Sequence, residues 1–264
     1  RRPVQAHPAP SGVSSTRAPG AALALAGARR GDAGHAAGPA GAPAPPPGRA
    51  TAATPGTGNG VRVWSLFPGN DVVVQNNTVY SMNVGVQIWN TQGPSSVLVD
   101  GGLLQGNNWG VDFYNQEAFG PAGTSYATVQ NVTARDSGLG GVRVRNVAAG
   151  TSPLSLVLNT SNLINNPIGL QVDSGANAAF AALNGSGNTI SNNGLAGVVF
   201  SGTGGINSTL SGAPANANTF INNGAGGAMN ISVTTPYLAP NVNAYWNNWN
   251  GLNLGAVENT IYHH

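Results

Sequence analysis

The chain has 264 residues, ten basic residues against eight carboxylates and no cysteine, which excludes disulfides and thiolate chemistry. All ten basic residues are arginines, so lysine general bases and Schiff-base chemistry are excluded too. From residue 61 onward, four arginines stand against seven carboxylates, a net charge of −3 without the basic stripe that duplex nucleic acid requires, and no run approaches the roughly 18 apolar residues of a membrane span.

Residues 1–60 differ from the rest of the chain, because Ala, Pro, Gly and Arg dominate them and Phe, Trp and Tyr are missing. Such a segment buries too little apolar surface to offset an ordering cost of about 1 to 2 kcal/mol per residue, so we predict that it is disordered. Its run Ala21–Ala28 follows Arg17 and resembles the apolar stretch of an export signal. A plain linker is the alternative.

Beyond this segment, a glycine returns every 25 to 31 residues and is followed each time by a short strand-like run. The copies are Gly85, Gly110, Gly141, Gly169, Gly197 and Gly227. Each unit contains three short apolar runs separated by Asn-containing corners. A period of this length is typical of stacked supersecondary units. We therefore predict that residues 71–261 form about seven turns of a coil, in which each strand pairs in parallel with its copy in the next turn.

Strand alternation predicts which side chains of the third run fill the coil. They are Val86, Ile88, Val111, Phe113, Val142, Val144, Val198 and Phe200. Asparagines recur at the corners, where stacked amides can bond each other and the bent backbone at about 0.5 to 1.5 kcal/mol each. The predicted corner stack consists of Asn77, Asn131, Asn162, Asn188 and Asn218.

The repeated units of this sequence resemble those of a known family. Units such as Asn188–Phe200 (NTISNNGLAGVVF) resemble the right-handed parallel β-helix repeat proteins of the pectin lyase-like superfamily, which includes pectate lyases, polygalacturonases, alginate epimerases and bacterial surface proteins. The resemblance spans residues 61–264. It implies an all-β, right-handed parallel β-helix solenoid, a polysaccharide partner and an extracellular or cell-surface location.

The closing stretch Asn241–Asn250 resembles the final turn of bacterial members of this family. Those proteins commonly continue past this point, so we expect the chain to end early. A missing cap would leave an unpaired strand edge, which predicts self-association through the terminal turn.

The outward positions of the third run form two rows across successive turns. Two residues after each glycine stand Gln87, Asp112, Arg143, Gln171, Val199 and Met229, and four residues after it stand Trp89, Tyr114, Arg145, Asp173, Ser201 and Ile231. Aromatic rings stack on pyranose faces, while Arg, Asp and Gln side chains engage hydroxyls or carboxylates. The rows therefore predict a polysaccharide-binding face, with Trp89, Tyr114, Gln87 and Gln171 as sugar contacts. The alternative is ordinary cross-strand pairing of Asp112 with Arg143 and of Arg145 with Asp173.

If the protein is an enzyme, the candidate catalytic residues are Asp112, Arg143, Arg145 and Asp173. β-Elimination from a uronide needs a base near the C5 proton and a cation at the carboxylate. Arg143 or Arg145 would fill one of these roles if a calcium ion fills the other, and the candidate ligands of that ion are Asp112, Asp136 and Asp173. No dense acidic cluster predicts a metal site, so no cofactor is expected from the sequence. Hydrolysis would need two carboxylates about 5 to 9.5 Å apart, and Asp112 and Asp173 lie two turns apart.

The catalytic motifs of the enzymatic relatives are missing from the sequence. There is no adjacent Asp-Asp, no Gly-His-Gly and no Arg-Ile-Lys, and lysine is absent. The sequence thus predicts a carbohydrate-binding β-helix for which polysaccharide lyase or glycoside hydrolase activity stays open. A non-catalytic structural or adhesive repeat protein is the alternative.

Overall fold

The computed structural model describes residues 56–116, 123–146, 153–175, 181–203, 206–210, 216–227, 229–234, 241–244, 246–250, 252, 257 and 261–263. Residues 1–55, and with them nearly all of the predicted disordered segment and the resemblance to an export signal, lie outside this part. The described chain is built of parallel β-strands stacked as a solenoid, with almost no helix. The predicted all-β, parallel β-helix fold class is therefore confirmed.

Eight strands form the first sheet, called sheet 1, in which each strand lies beside its copy from the next turn. They are β1 (Asn59–Trp64), β3 (Val84–Trp89), β5 (Trp109–Asn115), β8 (Gly140–Asn146), β11 (Ile168–Ser174), β14 (Ala196–Gly202), β17 (Ile231–Val233) and β19 (Ile261–His263). Every pairing in this sheet is parallel. Parallel pairing in register brings equivalent residues of successive turns together, which creates continuous side-chain rows.

Sheet 2 contains two further stacks of parallel strands, which β2 and β4 join. Its strands are β2 (Asp71–Tyr80), β4 (Ser95–Gln105), β6 (Ser125–Gln130), β7 (Thr133–Arg135), β9 (Leu154–Asn159), β10 (Asn162–Ile164), β12 (Ala181–Ser186), β13 (Thr189–Ser191), β15 (Ile206–Thr209), β16 (Thr219–Ile221) and β18 (Asn241–Asn243). In later turns a corner interrupts the strand, so that two short strands replace one long one. Each of these turns therefore contains three strands, two from sheet 2 and one from sheet 1, as predicted.

The number of full turns is about five rather than the predicted seven. Strands β2 to β14 supply these turns, and the coil is less regular at its two ends. Strand β1 adds one strand to sheet 1 before the first full turn. After β14, short strands continue both sheets, but segments outside the described residues separate them.

The interior of the coil is a single column of apolar side chains. All eight third-run residues predicted to point inward are fully buried. Sheet 2 adds apolar side chains from each of its stacks to the same core, among them Leu156, Leu163 and Ile190. Alternation along short strands therefore identifies the core correctly wherever the register of the repeat is right.

The recurrent glycine is required by close approach of neighbouring turns. A Cβ added at Gly110 would lie 2.4 Å from the carbonyl oxygen of Gly141 and 2.8 Å from the Ala134 Cβ. Gly85, Gly141, Gly169 and Gly197 are equally crowded, each with a carbonyl oxygen at 2.5 to 2.7 Å. None of these five glycines has a positive φ, so steric room explains them and left-handed geometry does not.

Substitution of Gly110 by Ala is therefore expected to destabilise the fold by about 3 kcal/mol, because the new methyl group must push two backbone turns apart. Gly194 is the matched control, since a Cβ there meets nothing within 4 Å. Urea unfolding followed by circular dichroism measures both variants. Equal stability of the two variants would contradict this account of the repeat.

A column of buried asparagines runs along the corner that precedes sheet 1. Its members are Asn107, Asn166, Asn193 and Asn223, and Ser137 takes the place in the turn between the first two. Asn193 donates from Nδ2 to Asn223 Oδ1 at 2.8 Å and to the Leu163 carbonyl at 3.1 Å. Its Oδ1 accepts the backbone N–H of Asn166 at 3.1 Å. The column thus satisfies buried backbone groups that the corner removes from the sheets.

The predicted corner stack is right for two of its five asparagines. Asn188 donates to Asn218 at 2.9 Å, and Asn218 donates to Asn247 at 3.0 Å. Asn77 and Asn162 instead lie within β2 and β10, and Asn131 is an exposed residue with φ of 56°. By strand register, Asn131 lies one residue before the position of Asn188 and Asn162 one residue after it. Asn77 shares the position of Asn188, but Gly102 takes this position in the next turn, so the Asn77 amide donates to the Gln75 carbonyl instead.

In three Asn-Asn pairs the two asparagines have different roles, since the first adopts a left-handed conformation and the second belongs to the buried column. In Asn192-Asn193 the first residue is exposed and has φ of 54°, while the second belongs to the buried column. The same division holds at residues 165–166 and 222–223. Asparagine tolerates the left-handed conformation better than most residues, which explains why a second asparagine precedes the structural one.

The prediction that Gly227 is the sixth copy of the recurrent glycine is wrong. Gly227 lies in a 3₁₀ turn, Ala225–Gly227, with φ of 80°, and Asn230 occupies the place of the earlier glycines. Val198 therefore pairs with Ile231, so that Ile231 points into the core and Ser232 replaces Met229 in the outer row. The inserted turn shifts the register by three residues.

Candidate binding face of sheet 1

The two outer rows on sheet 1 are present in the predicted register from β3 to β14. Gln87, Asp112, Arg143, Gln171 and Val199 lie side by side in the first row. In the second row, Trp89, Tyr114, Arg145, Asp173 and Ser201 do the same. The outer face of sheet 1 is the name used below for the outward side chains of β1, β3, β5, β8 and β11.

Strand β1 extends both rows by one residue that the repeat analysis missed. Arg62 pairs with Gln87, and Trp64 pairs with Trp89. The signal was available in the sequence, because Gly60 lies 25 residues before Gly85 and is followed by Val-Arg-Val-Trp. The prediction placed the first turn at residue 71 and so overlooked this copy of the third run.

Three aromatic rings of the second row stack on one another. The Trp64 and Trp89 centroids are 5.9 Å apart with ring planes at 19°, and the Trp89 and Tyr114 centroids are 6.4 Å apart with planes at 3°. The guanidinium of Arg145 follows, with its Cζ 3.7 Å from the Tyr114 centroid. Each such ring pair contributes about 0.5 to 1.5 kcal/mol beyond area burial. Trp64, Trp89, Tyr114 and Arg145 are called the aromatic column below.

Asp112 forms the charged centre of this face. Arg143 binds it in a bidentate manner, with Nε and Nη2 each 2.9 Å from a carboxylate oxygen, and Arg145 Nη2 lies 3.5 Å from Asp112 Oδ2. Only 1% of the Asp112 side chain is exposed. Asp112 and Arg143 therefore form the cross-strand pair that the sequence predicts, and the two arginines bury the carboxylate.

Arg143 also rests on an aromatic ring, that of Trp109, with its Cζ 4.4 Å from the ring centroid. Trp109 is buried, and the neighbouring strand leaves room for it at Gly140, where an added Cβ would lie 2.3 Å from the indole ring. Both guanidiniums on β8 are thus held between a ring and the Asp112 carboxylate. Nothing in the glycine repeat identifies Trp109, since it occupies the position before the glycine.

Arg145 and Asp173 are neighbours in the register, as predicted, but no ion pair joins them in the described part of the chain. Arg145 extends toward Tyr114 and Asp112 instead. Each of the two glutamines bonds a side chain of the adjacent strand: Gln87 Oε1 accepts from Asn59 Nδ2 at 2.7 Å, and Gln171 Nε2 donates to Ser201 Oγ at 3.3 Å.

The arginines are concentrated on this face. Of the four arginines from residue 61 onward, Arg62, Arg143 and Arg145 lie here, and Arg135 belongs to sheet 2. Asp112 and Asp173 are the carboxylates on the strands of this face, so β1, β3, β5, β8 and β11 together carry a net charge of +1. The whole segment from residue 61 onward carries −3, which makes the face a positive region on an acidic domain.

The described residues contain no group of three or more His, Cys, Asp or Glu side chains that could hold a metal ion. Asp136, a further carboxylate considered for calcium, lies at a different corner, where it accepts from Gln105 and Asn165. None of the helical segments described has the length and apolar character needed to cross a membrane.

The fold and the outer face define this protein as a parallel β-solenoid with a positively charged, aromatic sheet face. Comparisons with protein-family models, with curated proteins and with solved structures each found no match. The resemblance to the pectin lyase-like superfamily thus stays a hypothesis about ancestry, while the parallel β-helix architecture is a property of the structure.

Proposed function

We propose that the protein binds an acidic polysaccharide along the outer face of sheet 1. The observation that carries the proposal is the gathering of three of the four arginines of the folded segment beside a row of aromatic rings. Arginine binds carboxylates through paired N–H groups, and aromatic rings pack against the C–H faces of sugars. A polymer whose sugars carry carboxylates satisfies both features at once.

The geometry of the face suits an extended ligand. Outward positions repeat from strand to strand, about 4.8 Å apart, so that the face from β1 to β8 presents two rows of polar, charged and aromatic side chains over about 14 Å. Arg143 uses Nε and Nη2 for Asp112, which leaves Nη1 directed away from this carboxylate. Arg62 is exposed. These donors supply the contacts that a row of carboxylates would need.

Binding is a better proposal than cleavage because of the state of Asp112. A general base or nucleophile must reach the substrate, whereas both Asp112 oxygens are occupied by arginines and the side chain is 1% exposed. Asp173 is the other carboxylate of the candidate catalytic set and lies two strands away from β5. Lyase or hydrolase activity is therefore the second outcome of the test and not the proposal.

Affinity electrophoresis in gels that contain polygalacturonate or alginate tests the proposal, with a neutral galactan gel as comparison. Wild-type protein is expected to be retarded in the acidic gels, and the retardation is expected to fall as salt increases. Arg145→Gln should weaken retention about tenfold. Arg135→Gln is the matched control, because it removes the same charge from sheet 2 and should leave retention unchanged.

Equal retention of the two variants would contradict the proposal, and so would equal retention in acidic and neutral gels. Absorbance of unsaturated product at ultraviolet wavelengths, measured with and without calcium, reports β-elimination in the same samples. Absence of binding to every polymer would favour the alternative of a structural or adhesive repeat protein. An extracellular or cell-surface location belongs to this proposal, since such polymers are found there.

A further inference from the structure

Among the residues that the structure describes, no other side chain covers one end of the aromatic column. Trp64 stands on β1, the first strand of sheet 1, so no described strand lies beyond it. Trp89 and Tyr114 are partly buried by their neighbours, whereas 60% of Trp64 is exposed. At the other end, the Arg145 guanidinium covers Tyr114.

The position of Arg62 leaves this open end free. Its Cζ is 4.9 Å from the Trp64 centroid and 4.3 Å from the Trp89 centroid, while the two centroids are 5.9 Å apart. A point at these distances lies beside the gap between the rings, on the inner side of Trp64. The outer side of the Trp64 ring therefore faces outward with a guanidinium close to its edge.

The stacking also changes the roles expected of the two inner rings. A sugar packs against an aromatic ring through the ring face, and the facing sides of Trp89 and Tyr114 are used by the column itself. These two residues were predicted as sugar contacts. In the structure they hold Trp64 and Arg145 in place, so that their effect on a ligand would be transmitted through the column.

We infer that the outer side of Trp64, with Arg62 at its edge, is a binding subsite for one acidic pyranose ring. The ring would pack its C–H face on the indole, and Arg62 would donate hydrogen bonds to the sugar carboxylate. This inference rests on the proposed function, since it gives the acidic polymer a defined point of contact at the first strand of sheet 1. It makes Trp64 the anchor and Trp89 a positioning residue.

Titration with a galacturonic-acid trimer, observed through the indole N–H signals in NMR spectra, tests this subsite. The chain has five tryptophans, so each signal can be assigned with single Trp→Phe variants. The largest shift is expected for Trp64. Calorimetry should show about a tenfold higher Kd for Trp64→Ala, a smaller change for Trp64→Phe and none for Trp246→Ala, a control residue that is 68% exposed on a later turn.

The outcomes separate the subsite from the proposed function. Trimer binding that survives Trp64→Ala within twofold, or that shifts the Trp89 signal and not that of Trp64, would overturn the subsite while the binding face stands. No shift and no heat with wild-type protein, together with no retention in acidic gels, would overturn both. Phe67→Ala adds a control for general apolar contact, because Phe67 is 61% exposed close to Trp64 in the chain.

Discussion

Replacement of Asn193 by Ala is expected to reduce the free energy of unfolding by about 3 to 5 kcal/mol. The side chain is fully buried, and its loss leaves the backbone N–H of Asn166 and the carbonyl of Leu163 without this partner. An unsatisfied buried polar group costs about 1 to 3 kcal/mol, and two such groups are created. The Asn223 amide oxygen loses a donor as well.

The neighbouring residue provides the control for this prediction. Asn192 is exposed and has φ of 54°, so Asn192→Gly keeps the left-handed conformation and removes no buried bond. Urea unfolding of both variants should give a large loss for Asn193→Ala and a change below about 1 kcal/mol for Asn192→Gly. A similar loss in both variants would show that the column contributes no more than an ordinary turn residue.

Replacement of Asp112 by Asn is expected to weaken both the fold and the binding of an acidic polymer. Breaking a buried ion pair by removing one partner costs about 3 to 5 kcal/mol, and the partial exposure of Arg143 and Arg145 places this case near the lower end. Urea unfolding measures the loss. The expected effect on binding is a decrease of about tenfold, because the two guanidiniums lose the carboxylate that fixes them on the face.

The sign of the binding effect distinguishes two physical accounts. Asp112→Asn removes a negative charge from a positive face, so a surface that acts by charge alone should bind an acidic polymer more tightly in the variant. A face that acts through fixed arginines should bind it more weakly. The Asp100→Asn variant is the matched control, since it removes the same charge from β4 of sheet 2, and its retention should equal that of wild type. Tighter binding by Asp112→Asn would contradict the positioning role.

The architecture could be predicted from the sequence because one repeated requirement recurs in each turn. A glycine must sit where two turns approach most closely, and alternation around it places the apolar side chains inward. This reasoning succeeded from Gly85 to Gly197. It failed at Gly227, because a 3₁₀ turn inserted before β17 moved the register while the local sequence still looked like the repeat.

The candidate face was predicted in part. Register alone gave the rows and the Asp112–Arg143 pair, since parallel strands bring equivalent residues together. Register does not determine the direction in which a side chain extends. The sequence therefore could not predict that Arg145 forms its ion pair with Asp112 rather than with Asp173. The burial of Asp112 has the same origin, because it depends on how two long side chains fold over their neighbours.

A crystal structure of the protein with a bound galacturonic-acid oligosaccharide would test the central claim most directly. The account predicts that the sugar lies on the outer face of sheet 1, with one ring against Trp64 and carboxylates within hydrogen-bond distance of Arg62 or Arg145. An oligosaccharide bound on sheet 2 beside Arg135, or a face of sheet 1 left empty at a ligand concentration that saturates the protein in solution, would contradict it.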